Sequence, residues 1–306
     1  MRRKILLLLK ELRAPFFTAV IVPTILGLAI AINHGLEINW VHFILTLFGV
    51  IFLHAGTNIA NDYFDHKSGN DEANNEYARP FTGGSRLIQN NELKPREVLS
   101  ESLFFYVLGA AIGLYFIFTV GIGILILGFA GVFIGYFYTA PPFRLVYHGL
   151  GELAVGVSCG ILVTFGAYYV QAGHFSWEPV TAGIPIGFLI AAVLWINEFQ
   201  DYHADKSVGK KHWVVRMGRQ KAEKIYRVIM FAAYLVIVVA SVAGWISIFA
   251  LIGLVTLPIT VKAIKIASRE YDNPRQLVGA NAATISTHFL TGLLLSLGYM
   301  LEHFLV

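Results

Sequence analysis

The sequence is poor in charge and almost devoid of cysteine. Only 14% of its 306 residues are Asp, Glu, Lys or Arg, where a soluble domain carries about a quarter. The single cysteine, Cys159, excludes a disulfide framework within the chain; set in an apolar run, it reads as a small packing residue. No stretch has the composition of a soluble domain. The two longest polar segments run only from about 65 to 95 and from about 204 to 218. The formal charge of +4 is modest, and its basic residues flank apolar runs, where anionic lipid is the natural partner; a nucleic-acid partner is not expected. At the N-terminus, Ile5 to Leu9 is too short for the apolar region of a signal peptide. It reads instead as an interfacial amphipathic helix leading to Pro15.

Long hydrophobic runs are what the chain has in quantity. Hydrophobic residues make up 56% of it and its mean hydropathy is +0.65. Nine apolar segments are long enough to cross a bilayer, at about 15–33, 39–63, 97–120, 122–140, 150–171, 178–200, 222–244, 246–266 and 279–303. All 23 Lys and Arg fall at the N-terminus, in 67–96, at Arg144, in 206–227 and in 262–275. The turns near 34–38, 121, 172–177 and 245, and the chain after 300, carry none. Nine spans put every basic stretch on one side, which the positive-inside rule makes cytoplasmic. The expected fold is therefore all-α: a polytopic bundle of nine transmembrane helices, N-terminus inside and C-terminus outside. The chain forms one domain over 1–306, with cytoplasmic cap loops around 65–96, 141–149 and 204–218.

Two helix ends carry nearly the same acid-rich signature, 136 positions apart: Asn61-Asp62-x-x-Asp65 and Asn197-Glu198-x-x-Asp201-x-x-x-Asp205. The match hints at an internal repeat or at convergence on one solution. Ionisable groups at the edge of a membrane span are costly and point to function. On a helix, Asn58, Asn61, Asp62 and Asp65 fall within an arc of roughly 100°, as do Asn197, Glu198, Asp201 and Asp205. Acids near a helix C-terminus also oppose its dipole, a conflict that a metal or a basic partner removes. Oxygen-rich stripes of this kind suit Mg²⁺ shared with substrate phosphates, and lack the His and Cys set of a zinc site. Two such stripes facing each other would bracket a diphosphate, the metals offsetting charge on the leaving group. The expected metal ligands are Asn58, Asp62, Asp65, Asp71, Asn197, Asp201 and Asp205. Asp62, Asp65, Asp201 and Asp205 carry the catalysis.

Basic groups should complete a diphosphate site. Arg79, Arg86, Arg144 and Lys206 are the candidates, Arg as a bidentate fork and Lys as a point charge. Arg144 is the one basic residue in a short connection, Tyr138-Thr-Ala-Pro-Pro-Phe-Arg144. The Pro pair is expected to hold that turn extended, aiming Tyr138 and Arg144. Asn58, Asn61, Arg79, Tyr138, Arg144, Asn197 and Lys206 are thus the expected substrate-binding residues. Lys210, Lys211, Arg219, Lys221, Lys224 and Arg227 read as topology and lipid contacts. His54, one turn before Asn58, reads as a hydrogen-bonded packing residue more readily than as a base. A few of the many Phe and Tyr residues could stabilise a carbocation.

The paired motifs, Asn61-Asp62-Tyr63-Phe64-Asp65 with Asp71 and Asp201-Tyr202-His203-Ala204-Asp205, resemble those of the UbiA superfamily of intramembrane prenyltransferases. The resemblance covers essentially the whole chain. It implies a helical bundle around a central cavity, Mg²⁺ as cofactor, and a prenyl diphosphate donor bound under a cytoplasmic cap. The reaction it implies is transfer of the prenyl group to an acceptor, commonly an aromatic ring; no obligate protein partner follows from it. Asn61 to Asp71, and Tyr138 to Glu152 with Gly149-Leu150-Gly151, look like the 1,4-dihydroxy-2-naphthoate prenyltransferases of menaquinone synthesis. They are also similar to homogentisate prenyltransferases. The chain departs from the family pattern in two places. Gly69 stands where a further acid occurs, and the Tyr-x-x-x-Lys pattern is replaced by Tyr138 followed by Pro142. Other acceptors, namely 4-hydroxybenzoate, homogentisate, a glyceryl phosphate lipid or a haem, remain alternatives within the class. A secondary transporter is the alternative outside it, but transporter sites lie near the bilayer midplane, whereas these acids lie at helix ends.

Asp65→Asn and Asp201→Asn are each expected to remove most transfer activity while leaving the bundle folded. Activity assays paired with thermal melts check this; full activity in either variant would remove the metal-site assignment.

Overall fold

A computed structural model describes residues 2–79 and 81–306; Pro80 of the Arg79-Pro80 step lies outside the described residues. Helix α1 (Arg2–Glu11) and a 3₁₀ turn (Ala14–Phe17) lead into α2 (Thr18–Asn33). There follow α3 (Trp40–Ser68), the one-turn α4 (Asn70–Ala73), α5 (Pro95–Thr119) and α6 (Gly123–Phe137). Next come α7 (Gly151–Ala172), π-helical over Gly156–Leu162, and α8 (Trp177–Ser207). The short α9 (Trp213–Met217), α10 (Arg219–Val242), α11 (Ile248–Glu270, 3₁₀ at its start) and α12 (Val278–Leu305) complete the chain. The described residues contain no strand.

Among the described residues, eight helices are long and apolar enough to cross a membrane. The ninth apolar segment forms α6, of 15 residues. At 1.5 Å per residue α6 spans about 22 Å, short of a ~30 Å hydrocarbon core. It is shorter than the expected 122–140 because the chain leaves the helix at Tyr138 to turn. Helices α3 and α8, in contrast, outrun their apolar segments and carry both acid motifs on continuous helix. Capping fixes their N-terminal ends: the Asn39 side chain accepts from His42 N, and that of Ser176 from Glu178 N.

In a membrane the apolar effect does not drive helices together, so close packing and buried hydrogen bonds must. Both are present. Gly156 and Gly160 of α7 lie directly on Gly183 and Gly187 of α8. Between α10, α11 and α12, the Tyr234 hydroxyl meets Thr256 at 2.7 Å and Thr260 at 2.6 Å, and Thr256 meets Thr291 at 2.7 Å. Outward-facing Phe118, Ile126, Phe129 and Leu235 are exposed, the pattern of a lipid-facing surface. The expected amphipathic N-terminal helix is present, with Ile5, Leu6 and Leu9 exposed and Leu7, Leu8 and Leu12 packed toward α5.

A Cβ at Gly160 would collide with the Gly187 backbone, whereas one at Gly113 meets no atom within 4 Å. Gly160→Ala is expected to cost about 1–3 kcal/mol through overpacking, and Gly113→Ala much less. Thermal melts of the two variants in one detergent check the contrast.

Candidate active site

The inward faces of α3, α5, α6, α7 and α8 enclose a cavity of about 380 Å³, within the range of small-molecule sites. Its polar end is built by the two acid motifs. From the first, Asn58, Asn61 and Asp65 line the cavity, and Asn70 and Asp71 join them just beyond the helix. From the second come Asn197, Glu198, Asp201 and Asp205, with Tyr138 on the facing turn.

The first stripe is split. Asp62, almost wholly buried, turns to the following loop: its Oδ2 accepts from Ser85 N at 2.7 Å, and Arg13 Nη1 lies 3.5 Å from Oδ1. Gly84, at φ 64, lies so close over this carboxylate that a Cβ would come within 3.0 Å of its oxygen. The same loop reaches the second motif, where Asn74 Nδ2 donates to Asp201 Oδ1 at 2.6 Å. Further on, Arg219 Nη2 pairs with Glu76 Oε2 at 2.9 Å.

Between the motifs lies a lysine. Lys210 Nζ stands 2.7 Å from Asp65 Oδ1 and 3.5 Å from Asp205 Oδ1, and is buried. Burial by itself would lower its pKa, but the Asp65 and Asp205 carboxylates hold it well above the usual lysine range. His212 is fully buried, its Nε2 3.0 Å from Asp205 Oδ2 and its Nδ1 3.2 Å from Glu198 Oε2. Burial opposes its charge, yet Glu198 and Asp205 push its pKa up to about 10. Asp71 is raised as well, from the opposite cause: burial, reinforced by Asp65 and Asp62, lifts its carboxyl to about 9.

These cations correct the reading of the loops as topology signals. Lys210 and Arg219 are interior groups, Arg219 also donating to the Phe199 carbonyl at 3.0 Å. Lys211, Lys221, Lys224 and Arg227 are exposed as expected. No local pattern marked Lys210 or His212, because they reach the acids through a turn rather than along a helix face. Lys210 N bonds back to Asp205 O at 2.9 Å, which folds the chain over the helix end. Arg13 was likewise unforeseen, since it comes from the other end of the sequence.

The basic residues expected at the diphosphate stand outside the cavity lining. Arg144 is exposed, at φ 43, its guanidinium over the Tyr147 ring at 5.3 Å. The Pro-containing turn is folded, not extended: Val146 N bonds Tyr138 O at 3.0 Å, which brings Tyr138 inward and carries Arg144 out. Lys206 is exposed beside Tyr202. Arg79 bonds the Ser85 carbonyl at 3.3 Å, and Arg86 donates to the Asp71 carbonyl, so both brace the loop. His54 packs edge-on against Phe17, ring centroids 6.2 Å apart. It lines the cavity, and its Nε2 has no partner among the described residues.

The donor set fits a hard cation. Asn70 Oδ1, both Glu198 oxygens and Asp205 Oδ1 are buried and accept no hydrogen bond among the described residues, and all three residues line the cavity. Oxygens of this type suit Mg²⁺, Mn²⁺ or Ca²⁺. Glu152, Glu198 and His212 also offer ligand atoms within 4.8 Å of one another, a mixed set that the acid signatures alone did not reveal.

A membrane-embedded cavity with two facing acid motifs at one end and apolar walls at the other defines a class of intramembrane transferase. The chain belongs to the UbiA prenyltransferase family, whose model matches residues 20–293, and it is a prenyltransferase of the multi-pass membrane type. It is 29% identical to the 2-carboxy-1,4-naphthoquinone phytyltransferase of Synechocystis, over 95% of this chain and 92% of that one. It is 26% identical to the 1,4-dihydroxy-2-naphthoate octaprenyltransferase of Bacillus subtilis, over 94% and 90%. Among solved structures, a UbiA homolog from Archaeoglobus fulgidus bound to GPP and Mg²⁺ shares the fold. Its TM-score is 0.67 at 16% identity, over 97% of this chain and 99% of that one.

Removing one partner of a buried charge cluster leaves the others uncompensated, at about 3–5 kcal/mol. Lys210→Met is therefore expected to lower the melting temperature sharply in EDTA, with part of the loss regained in Mg²⁺. Paired melts with and without the metal check it; equal melts of variant and wild type would show that Lys210 does not balance the acids.

Proposed function

We propose that the protein transfers an isoprenoid group from an allylic diphosphate to an aromatic acceptor of the 1,4-dihydroxy-2-naphthoate type, in a Mg²⁺-dependent reaction. The observation that carries this reading is the facing of the two acid motifs across the mouth of one apolar cavity, with Lys210 between them. The Synechocystis and Bacillus subtilis relatives, whose names specify a naphthoquinone and a naphthoate, match nearly the whole chain. Their names specify phytyl and octaprenyl groups, so the donor differs more between them than the acceptor does.

Mg²⁺ would be held by Asn58, Asp65, Asp71, Asn197, Asp201 and Asp205, which line the cavity, whereas the expected ligand Asp62 is engaged by Ser85 and Arg13. When bound, the metal offsets the charge that gathers on the diphosphate as the allylic C–O bond breaks. The protein's own groups do the rest. Lys210 and Arg13, the two Lys or Arg side chains lining the cavity among the described residues, supply positive charge to the phosphates. The apolar walls shield the allylic cation from water, and aromatic faces near the mouth, Tyr138 among them, stabilise it. The unpartnered His54 Nε2 and Asn58 Nδ2 offer hydrogen bonds to an acceptor ring lying across the mouth. The ring carbon takes the prenyl group, diphosphate leaves, and a proton or the carboxyl group, as carbon dioxide, departs from the attacked position.

The chain crosses the membrane nine times, with α6 as the short crossing. The N-terminus and the site face the cytoplasm and the C-terminus lies outside, because only this arrangement gathers all 23 basic residues on one side. The segments 65–96, 141–149 and 204–218 act as the cap, the first two-motif link being Asn74 to Asp201.

Purified protein, given geranyl and geranylgeranyl diphosphates with a panel of aromatic and lipid acceptors, is expected to yield product with dihydroxynaphthoate in Mg²⁺ and none in EDTA. Product with another acceptor only would correct the substrate. Absence of both transfer and diphosphate binding would overturn the enzyme reading.

A further inference from the structure

Below the acid motifs the cavity changes character. Along α3 the lining runs from Asp65 to Thr46, 19 residues of helix or about 28 Å. Past His54, whose Nε2 has no partner among the described residues, this wall offers no free polar group. The Thr57 hydroxyl donates to the Leu53 carbonyl at 2.9 Å and pairs with Tyr106, and the Thr46 hydroxyl donates to His42 O at 2.7 Å. Helix α6 faces the shaft with Ile124, Leu127, Gly128, Gly131, Ile134 and Gly135, the spacing of one helix face.

The glycines on these walls are of two kinds. At Gly109 and Gly135 an added Cβ would strike Leu53 or Thr57, so these serve helix contact. At Gly113, Gly128 and Gly131 it would meet no atom within 4 Å, although all three line the cavity. They pack against nothing and leave the shaft open. At the far end Phe116, Ile124 and Val170 form a buried cluster and also line the cavity. They stand at the end of the shaft away from the acid motifs, as its floor. Gly131 stands seven residues from Ile124, about 10 Å above that floor. The site is more than a small-residue stripe, because Glu198 Oε1 and Asp205 Oδ1, on almost wholly buried side chains that line the same cavity, accept no hydrogen bond among the described residues.

We infer that this shaft measures the isoprenoid tail of the donor, with Gly113, Gly128 and Gly131 setting its bore and Phe116, Ile124 and Val170 its floor. The inference rests on the prenyl-transfer reading and adds its chain-length specificity. Each isoprene unit buries further apolar surface until the tail meets the floor. Beyond that length the tail must displace the floor, so the gain per unit stops.

The test uses the full-length protein in nanodiscs, with dimethylallyl, geranyl, farnesyl, geranylgeranyl and solanesyl diphosphates and dihydroxynaphthoate. In Gly131→Leu, kcat/KM is expected to fall about tenfold more for geranylgeranyl than for dimethylallyl diphosphate, the scale of one misfit in an apolar pocket. Gly113→Val, on a different helix, should shift the profile the same way if the first variant folds poorly. Phe116→Ala should shift it toward longer donors. Calorimetry with unreactive prenyl thiodiphosphates of the same lengths reads the shaft without turnover. Folded variants that transfer with the wild-type length profile would overturn the inference and leave the reaction intact. A length cut-off in thiodiphosphate binding that moves with the variants, without transfer to any acceptor, would support the shaft and overturn the reaction.

Discussion

The structure is organised around an excess of negative charge buried at one end of a membrane bundle. Asp62, Asp65 and Asp71 meet Glu152, Glu198 and Asp205 with little water access. Carboxylates in such a place repel one another, and the helix C-termini that carry them add to the repulsion. Lys210 and His212 from the loop after α8, and Arg13 from the loop after α1, are drawn in to offset it, and oxygens that accept no hydrogen bond still remain. That residue of uncompensated charge is what makes the cavity mouth receptive to a metal and a diphosphate together. It is also why the loops after α3 and α8 fold over the site: each carries a group the other motif needs.

The remainder of the bundle keeps the two acid-bearing helices at a fixed separation. Glycines let α7 lie directly on α8, and the threonine and tyrosine contacts among α10, α11 and α12 tie the opposite wall. Asn281 of α12 reaches into this frame, donating to Asn197 Oδ1 at 2.7 Å and so fixing the second motif from behind. An apolar cavity between helices needs rigid walls, and close helix contacts supply them without bulky side chains in the space between.

Much of the site was visible in the residues themselves. Asn58, Asn61, Asp65, Asn197, Asp201 and Asp205 were placed on their helix faces by spacing alone, and the structure brings all six to one cavity. The basic partners were not visible in this way. Arg144 looked aimed because of its prolines, yet the turn folds back and exposes it. Lys210 looked like one of several loop charges, yet a single backbone bond to Asp205 carries it inside. Helical periodicity transmits direction along many residues, whereas a loop's direction depends on a few bonds that no period announces.

The sequence by itself determined the apolar spans, the one-sided distribution of basic residues and the two oxygen-rich stripes. Each of these follows from local composition or from helix geometry, so no knowledge of neighbours is needed. Only the tertiary structure decided which cations face the acids, that Asp62 turns away to Ser85 while Asp65 stays in the cavity, and which glycines pack and which leave the shaft open. Those outcomes depend on contacts between residues far apart in the chain, where the balance of charge, packing and burial is struck in three dimensions.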